Sequence, residues 1–284
     1  MAQHLIDGRH LADDIKDTIA ETIYQLGGSR PNLAIILVGQ RPDSQIYVRL
    51  KQQEAKKVGI DTHFYGCPEN ISQTELLTTI NFLNNDPQID GILLQLPLPK
   101  HLDANILINA TRPEKDVDGF TAENLRRLQN NDPQAIIPPV FGVILRIIAE
   151  QQLDLTGQTV VILGNSDIFS QHLAQLLEQQ GAQVSIFYKL DSTVQQQLSQ
   201  AKLLITALGR PLAVKIKNLP NDYLIIDIGI TKKANKVYGD VDLKSIDQAI
   251  NGWATPVPGG VGPLTIAMAL NNTLLLYQQH HQNG

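Results

Sequence analysis

Hydrophobic residues along the chain follow two spacings, one helical and one continuous. Apolar side chains recur at every fourth position from Leu11 to Ile23 and the pattern stops at Gly27, which predicts an amphipathic helix. Continuous apolar runs at residues 33–38 and 91–94 predict buried strands. Between these runs the patterns predict a helix at 43–58 capped by Asp43 or Ser44, a strand at 62–65, and a helix at 72–84 that starts with a Ser72 capping box.

A second series of the same kind begins after Pro138. It predicts a strand at 159–163, a helix at 168–180, and further strands at 184–187, 203–207 and 224–228. Strands that alternate with helices indicate an α/β protein of two domains, each a mostly parallel sheet flanked by helices. A terminal helix with Leu270, Leu274 and Tyr277 on one face is expected to return to the first domain. The expected domains are therefore residues 1–138 plus 263–284, and residues 139–262.

Composition and charge narrow the class of protein. The 284 residues are 43% hydrophobic and 18% charged, as in a globular protein, and the net charge of -5 argues against a nucleic-acid partner. No apolar run approaches the roughly 18 residues of a membrane span. The single cysteine, Cys67, forms no intrachain disulfide and fits a reducing compartment, so a cytoplasmic location is expected.

The most unusual segment is TPVPGGVGP at residues 255–263. Its three prolines and three glycines are incompatible with a helix or a central strand, so it predicts a fixed loop that leads into the terminal helix. Glycines let the backbone approach a flat or bulky group closely. A wall of a ligand site is favoured over a purely structural turn, because fixed loops on rigid scaffolds often carry function.

Three polar side chains are expected at the carboxyl edge of the first sheet. Tyr47 and Lys51 are four residues apart on the helix after the first buried strand, so they share a face. Gln95 follows the strand at 91–94, and its amide can hold a lysine in one orientation. Open α/β sheets bind ligands at this edge. Taken alone, Tyr47 over a lysine stem also fits an ordinary surface pair.

The segment KDVDGF at residues 115–120 adds carboxylates on a loop. Its D-x-D-G pattern suggests calcium only weakly, because the later ligands of a calcium loop, including the bidentate glutamate, are missing. We therefore expect no metal. A carboxylate here is suited instead to accept two parallel N–H bonds from a planar heterocycle.

These motifs together resemble the methylenetetrahydrofolate dehydrogenase/methenyltetrahydrofolate cyclohydrolase family. The shared motifs are Y-x-x-x-K at Tyr47, Q-x-P-x-P at Gln95, KDVDGF and TPVPGGVGP, in the family's order and spacing over nearly the whole chain. The resemblance implies a homodimer of two-domain subunits, with a cleft between the domains and a Rossmann-like second domain. It implies that Lys51 is the catalytic lysine, that Gln95 and Asp118 assist it or bind the pterin, and that the folate site is lined by Tyr47, Gly259, Gly260 and Pro263.

The resemblance also implies two reactions of one-carbon metabolism, a pathway connected to purine biosynthesis. Methylenetetrahydrofolate is oxidised with NADP, and water then opens the methenyl product to 10-formyltetrahydrofolate. A lysine with an ordinary pKa of about 10.4 is a poor base near neutral pH. Burial and a cationic substrate both disfavour the ammonium form, so Lys51 can become a base in the complex.

The expected cofactor loop departs from the family pattern. The family has G-R-S-x-x-V-G-x-P where this chain has GNSDIFSQH at residues 164–172. Asn165 replaces the arginine expected at the 2′-phosphate, and Ser170 replaces a glycine. Lys189, after the next strand, stands where the family has a serine. The cofactor-binding residues implied by the resemblance are Gly164, Asn165, Ser166, Lys189 and Ile230.

Several interpretations of this departure remain open. Lys189 can substitute for the arginine in an altered NADP site, Asp191 can favour NAD, or the site has decayed and left a cyclohydrolase alone. A non-catalytic folate-binding protein and an unrelated dehydrogenase are the other classes considered, and Lys51 and the folate motifs speak against them. Three further motifs carry no assigned role, namely Gly209, Asp227-x-Gly229 and Gly239-Asp240.

Overall fold

The structure is a computed structural model that describes residues 4–216, 219–234, 236–246 and 251–281. Its helices are α1 (Gly8–Gln25), α2 (Pro42–Val58), α3 (Gln73–Asn85), α4 (Ala104–Ala110), α5 (Ala122–Gln129), α6 (Pro139–Glu150), α7 (Asp167–Glu178), α8 (Ser192–Leu198) and α9 (Val261–His281). Its strands are β1 (His4–Leu5), β2 (Asn32–Val38), β3 (Asp61–Cys67), β4 (Gly91–Leu94), β5 (Thr159–Gly164), β6 (Gln183–Phe187), β7 (Leu203–Ala207), β8 (Tyr223–Asp227), β9 (Thr231–Lys233), β10 (Lys236–Tyr238) and β11 (Gly252–Ala254).

The chain divides into two compact units. The first unit comprises residues 12–142 and the described residues from Thr265 onward, and the second comprises residues 143–264 and the described residues up to Leu11. The predicted assignment of residues 1–138 to one domain differs at the N-terminus. The reason is that β1 pairs in parallel with β11, so His4 and Leu5 extend the second unit's sheet.

The first unit is built on a three-stranded parallel sheet in the order β3-β2-β4. Strand β2 is central and carries a nearly unbroken apolar run, because helices cover both faces of the sheet. Leu33 and Ile35 lie in one core cluster with Leu270 and Leu274 of α9. The predicted capping box of α3 is present, with Ser72 and Glu75 each bonding the other's backbone N–H.

The second unit is built on a six-stranded sheet in the order β1-β11-β8-β7-β5-β6. All pairings in this sheet are parallel. After β5 the chain adds β6 on one side and then β7 on the other, so the strand order reverses between β5 and β7. Open α/β sheets bind ligands outside the carboxyl ends of the strands at such a reversal. The α/β, mostly parallel fold class predicted from the sequence is confirmed.

Two helix starts differ from prediction. Helix α2 begins at Pro42 with Arg41 at the N-cap and no side-chain cap bond, so the predicted cap at Asp43 or Ser44 is wrong. Proline is favoured at the first helical position because its fixed φ suits the helix and its missing N–H would have no partner there. Pro263 is likewise tolerated in the first turn of α9, where backbone N–H groups have no helical partner. Helix α9 therefore begins at Val261, although the whole segment 255–263 was expected to be a loop. Among the described residues, none of the helices combines the length and the hydrophobicity that a membrane span requires.

Candidate active site

Lys51 and Gln95 are joined by a hydrogen bond at the carboxyl edge of the first sheet. Helix α2 starts shortly after β2 and presents Tyr47 and Lys51 one turn apart. Lys51 Nζ donates to Gln95 Oε1 over 3.0 Å. Gln95 comes directly after β4, the neighbour of β2 in the sheet. The sheet pairing therefore places the two side chains together, although they are distant in sequence.

The amide of Gln95 is held in one orientation. Its backbone N–H donates to Ile36 O over 2.9 Å and so extends the ladder between β2 and β4. Its side-chain Nε2 donates to Leu96 O over 2.7 Å. The amide nitrogen is occupied by Leu96, so Oε1 is the atom that faces Lys51.

Asp118 lies on a loop whose backbone is fixed by a second carboxylate. Asp116 is buried, and its Oδ1 accepts from Gly119 N over 2.9 Å while its Oδ2 accepts from Thr121 N over 2.8 Å. Asn124 Nδ2 also donates to Asp116 Oδ2, over 3.2 Å. Asp116 thus organises the turn around Asp118 and leaves the Asp118 carboxylate for other partners.

Asn272 fixes the other side of this loop from helix α9. Its Nδ2 donates to Val117 O and to Ile137 O, each over 2.9 Å, and its side chain is 4% exposed. Sequence reasoning missed Asn272 and the structural role of Asp116. A polar residue on an apolar helix face is the signal that was available for Asn272, but its partners are known only from the fold.

Burial sets the protonation behaviour of Lys51 and Asp118. Burial lowers the pKa of Lys51, and the negative charge of Asp118 opposes that effect. Burial raises the pKa of Asp118 to about 6, while the Lys51 ammonium acts to lower it. Both groups are shifted toward neutral pH, which is the condition for proton transfer by side chains there. Burial also raises the pKa of Tyr47, so its ring carries a neutral hydroxyl.

The glycine-rich segment lies in the second unit, after β11. Gly259 has φ +105°, and a methyl group on Gly260 would lie 2.6 Å from Pro256 O. A methyl group on Gly8, at the start of α1, would lie 1.9 Å from Gly260 O. Close backbone packing therefore requires glycine at Gly8 and Gly260, and the positive φ of Gly259 favours glycine there. Pro263 lies in the first turn of α9. The predicted folate residues are thus divided between the units, with Tyr47, Lys51, Gln95 and Asp118 in the first.

The turn after β5 combines a tight strand–helix contact with an exposed helix N-terminus. Ser166 caps α7 by accepting from Phe169 N. Ser170 is fully buried, and a methyl group on Gly164 would lie 2.1 Å from its Oγ. The glycine thus makes room for the Ser170 side chain, which points inward rather than toward solvent. The first backbone N–H groups of α7 remain suited to a phosphate.

The other predicted cofactor residues have different surroundings. Asn165 Nδ2 donates to Leu208 O over 3.2 Å, so this amide bridges the ends of β5 and β7. Lys189 is exposed just after β6, and Ile230 is 43% exposed after β8. Asp191 Oδ1 accepts from Thr193 N and Val194 N as the N-cap of α8, which gives this carboxylate a structural role.

These residues fit a dinucleotide. The turn at Gly164 and the N-terminus of α7 stand at the strand-order reversal, where a pyrophosphate is accommodated in folds of this type. Lys189 offers a cation after β6, the strand next to β5. In the parts of the chain that the structure describes, no three His, Cys, Asp or Glu side chains are grouped to hold a metal ion.

Comparison with known proteins identifies the two parts of the chain. Residues 6–118 match the family model of the tetrahydrofolate dehydrogenase/cyclohydrolase catalytic domain. Residues 139–281 match the model of the NAD(P)-binding domain of the same family. The two matches together span most of the chain.

Full-length relatives and solved structures agree with these matches. The bifunctional protein FolD of Dichelobacter nodosus is 40% identical over 291 aligned positions, which cover 100% of both chains. FolD of a Sulfurihydrogenibium species is 39% identical over 97% of this chain and 98% of its own. The crystal structure of the bifunctional FolD from Campylobacter jejuni has a TM-score of 0.92 at 35% identity and covers 98% of this chain and 99% of that one. The Trypanosoma brucei FolD, complexed with NADP and an inhibitor, has a TM-score of 0.90 at 30% identity and covers 98% of both. The chain belongs to the tetrahydrofolate dehydrogenase/cyclohydrolase family.

Proposed function

We propose that this protein oxidises 5,10-methylenetetrahydrofolate to 5,10-methenyltetrahydrofolate with NADP and then hydrolyses the product to 10-formyltetrahydrofolate. The observation that carries the proposal is the hydrogen bond from Lys51 to Gln95, on a lysine whose pKa is lowered by burial. Family membership supplies the substrate class, and the side chains supply the acid–base groups.

Lys51 acts as the proton-transfer group in the hydrolysis. Water adds to the methenyl carbon and loses a proton, and the bond from that carbon to N5 then breaks as N5 gains a proton. A neutral Lys51 amine accepts the first proton, and its ammonium can donate the second. The Gln95 oxygen holds the Lys51 amine in place throughout, because the other end of the amide is occupied by Leu96.

Asp118 and Tyr47 bind the substrate. The Asp118 carboxylate is suited to accept paired N–H bonds from the pterin ring, and Asp116 and Asn272 hold its loop in position. Tyr47 presents an aromatic face, which attracts the planar methenyl cation. Gly259, Gly260 and Pro263 supply backbone surface for the folate.

The second unit holds the cofactor, and NADP supplies the hydride acceptor for the oxidation. Gly164, Ser166 and the N-terminus of α7 would bind the pyrophosphate, and Lys189 the 2′-phosphate. Asn165 holds the turn after β5 by its hydrogen bond to Leu208 O. Ile230 follows the carboxyl end of β8 and offers exposed apolar surface at that edge of the sheet. Relatives named bifunctional protein FolD cover 97% and 100% of this chain, so a cyclohydrolase alone is not favoured.

The test of the hydrolytic step is Lys51→Met, with Lys56→Met as its control on the exposed side of the same helix. Removing a positioned proton-transfer group lowers rates by about 10²–10⁴-fold, so hydrolysis of methenyltetrahydrofolate should fall by that factor. Binding of the folate should stay within about threefold because Tyr47 and Asp118 remain. Hydrolysis at the parent rate in Lys51→Met would refute the assignment.

The test of the oxidative step is a titration with NADP and with NAD, together with methylenetetrahydrofolate oxidation followed by absorbance. Binding of NADP with turnover is expected. No binding of either nucleotide, alongside rapid methenyl hydrolysis, would instead identify a cyclohydrolase with a relict cofactor domain.

The same proposal includes a homodimer, a cytoplasmic location and a role in purine biosynthesis. Sedimentation of the purified protein tests whether it is a homodimer.

A further inference from the structure

Two buried aspartates lie side by side beneath the carboxyl edge of the second unit's sheet. Asp227 ends β8 and is 3% exposed, and Asp240, after β10, is 0% exposed. Gly229 and Gly239 make room for them. A methyl group on Gly229 would lie 2.2 Å from the Asp240 carboxyl carbon, and one on Gly239 would lie 2.1 Å from Asp227 Oδ2. Close packing against these carboxylates explains the motifs D-x-G and G-D in the sequence.

Asp240 binds the backbone that follows β7. Its two oxygens accept from three consecutive N–H groups, over 2.6, 3.3 and 2.7 Å, which belong to Leu208, Gly209 and Arg210. These N–H groups lie beyond the end of β7 and therefore have no strand partner. A carboxylate is the side chain that can accept all three, because it offers lone pairs on both oxygens and has no donor of its own.

Asp227 holds Asp240 in turn. Its Oδ1 accepts from the Thr206 hydroxyl over 2.9 Å and from Asp240 N over 3.1 Å, and its Oδ2 accepts from Val241 N over 2.9 Å. Burial raises the pKa of Asp227 to about 6, with the Asp240 charge contributing in the same direction. The donors around Asp227 oppose this rise and keep the carboxylate ionised near neutral pH.

The backbone held by Asp240 borders the strand-order reversal between β5 and β7. Asn165, on the turn after β5, donates to Leu208 O. Thr231, at the start of β9, donates its hydroxyl to Gly209 O over 3.2 Å. The backbone of residues 208–210 is therefore the common support of the turns that surround the expected nicotinamide cofactor.

We propose that Asp240 and Asp227 are positioning residues for the dinucleotide, which hold the backbone of residues 208–210 at the edge of the cofactor crevice. They do not touch the reacting atoms and act through the backbone that they bind. This inference rests on the proposed NADP-dependent oxidation and does not depend on the role of Lys51 in the hydrolytic step.

The first variant is Asp240→Asn in the full-length protein, with Asp242→Asn as its matched control. Asparagine has one acceptor oxygen, and its amide group would face a backbone N–H of residues 208–210. The control makes the same chemical change at a partly exposed N-cap. We expect the Kd for NADPH, measured by fluorescence titration, and the KM for NADP to rise about tenfold or more in Asp240→Asn. Cyclohydrolase activity of Asp240→Asn should stay within about threefold of the parent. Asp242→Asn should match the parent in nucleotide affinity and in cyclohydrolase activity.

The second pair of variants is milder and protects the test against misfolding. Thr206→Val removes the hydroxyl that donates to Asp227 while keeping the shape, and Thr206→Ser keeps the hydroxyl. Loss of a buried hydrogen bond to a carboxylate predicts weaker NADPH binding by about tenfold in Thr206→Val, with parental binding in Thr206→Ser.

The outcomes separate the two proposals. NADPH affinity unchanged in both Asp240→Asn and Thr206→Val would overturn the positioning role, and so would a parallel loss of both activities in these variants. If the parent protein binds neither nucleotide, the proposed oxidation and the positioning role fail together. Selective loss of nucleotide affinity with intact methenyl hydrolysis supports the proposed oxidation and the positioning role of the two aspartates.

Discussion

Replacement of Asn272 by leucine tests how the Asp118 loop is held. Leucine has the same branched skeleton as asparagine but no donor, so Val117 O and Ile137 O would each lose a hydrogen bond of 2.9 Å. A buried acceptor left without a partner costs about 1–3 kcal/mol. The Val117 carbonyl, whose bond is buried, predicts a loss of about 1–3 kcal/mol in the free energy of unfolding, and the partly exposed Ile137 carbonyl adds less. Urea denaturation followed by circular dichroism measures this loss.

The same substitution should also impair hydrolysis. Val117 O immediately precedes Asp118, and displacement of a substrate-positioning group by about 1 Å can lower the rate by about a hundredfold. We expect the KM for methenyltetrahydrofolate to rise along with the loss of stability. Asn271→Leu, one residue away at a partly exposed position, should change neither quantity. An unfolding free energy within about 0.5 kcal/mol of the parent would refute the reasoning, because substitutions away from buried contacts have effects of that size.

Three further predictions concern single side chains. The Asp118 carboxyl has a pKa raised to about 6, so it gains a proton as the pH falls through that value. Folate affinity should then weaken below about pH 6, and an unchanged pH profile in Asp118→Asn would contradict this role. Gly164→Ala should weaken NADPH binding about tenfold because the new methyl group would lie 2.1 Å from Ser170 Oγ, and adding Ser170→Ala should restore part of the affinity. If the double variant gained nothing, that contact would not be the cause. Lys189→Ser should weaken NADP binding about tenfold and leave NAD binding unchanged, whereas equal effects on both nucleotides would remove Lys189 from the 2′-phosphate site.

Local patterns predicted most of the elements that form the two sheets. The strands at residues 91–94 and 203–207 have the predicted bounds, and the capping box at Ser72 is present. Apolar period and capping depend on residues within a few positions of one another, so they can be read from the sequence. The predicted start of α2 was wrong by one residue, because Pro42 occupies the first helical position and the polar residues after it do not cap the helix.

The side chains that hold the candidate site depend on distant contacts. Asn272 binds the carbonyl of Val117, which is 155 positions away in the chain, and Asp240 binds backbone some 30 positions away. The substitution of Asn165 was visible in the sequence, but its bond to Leu208 O was not. The replacement of a glycine by Ser170 was also visible in the sequence, but only the structure shows that this side chain is buried against Gly164.

The sequence by itself determined the α/β class, the family and the residue types available for chemistry, because periodicity and motif spacing are local properties of the chain. Only the tertiary structure decided which polar groups meet, how burial shifts the pKa values of Lys51 and Asp118, and that His4 and Leu5 join the second sheet. Those properties arise from desolvation and from hydrogen bonds between segments that the fold alone brings together.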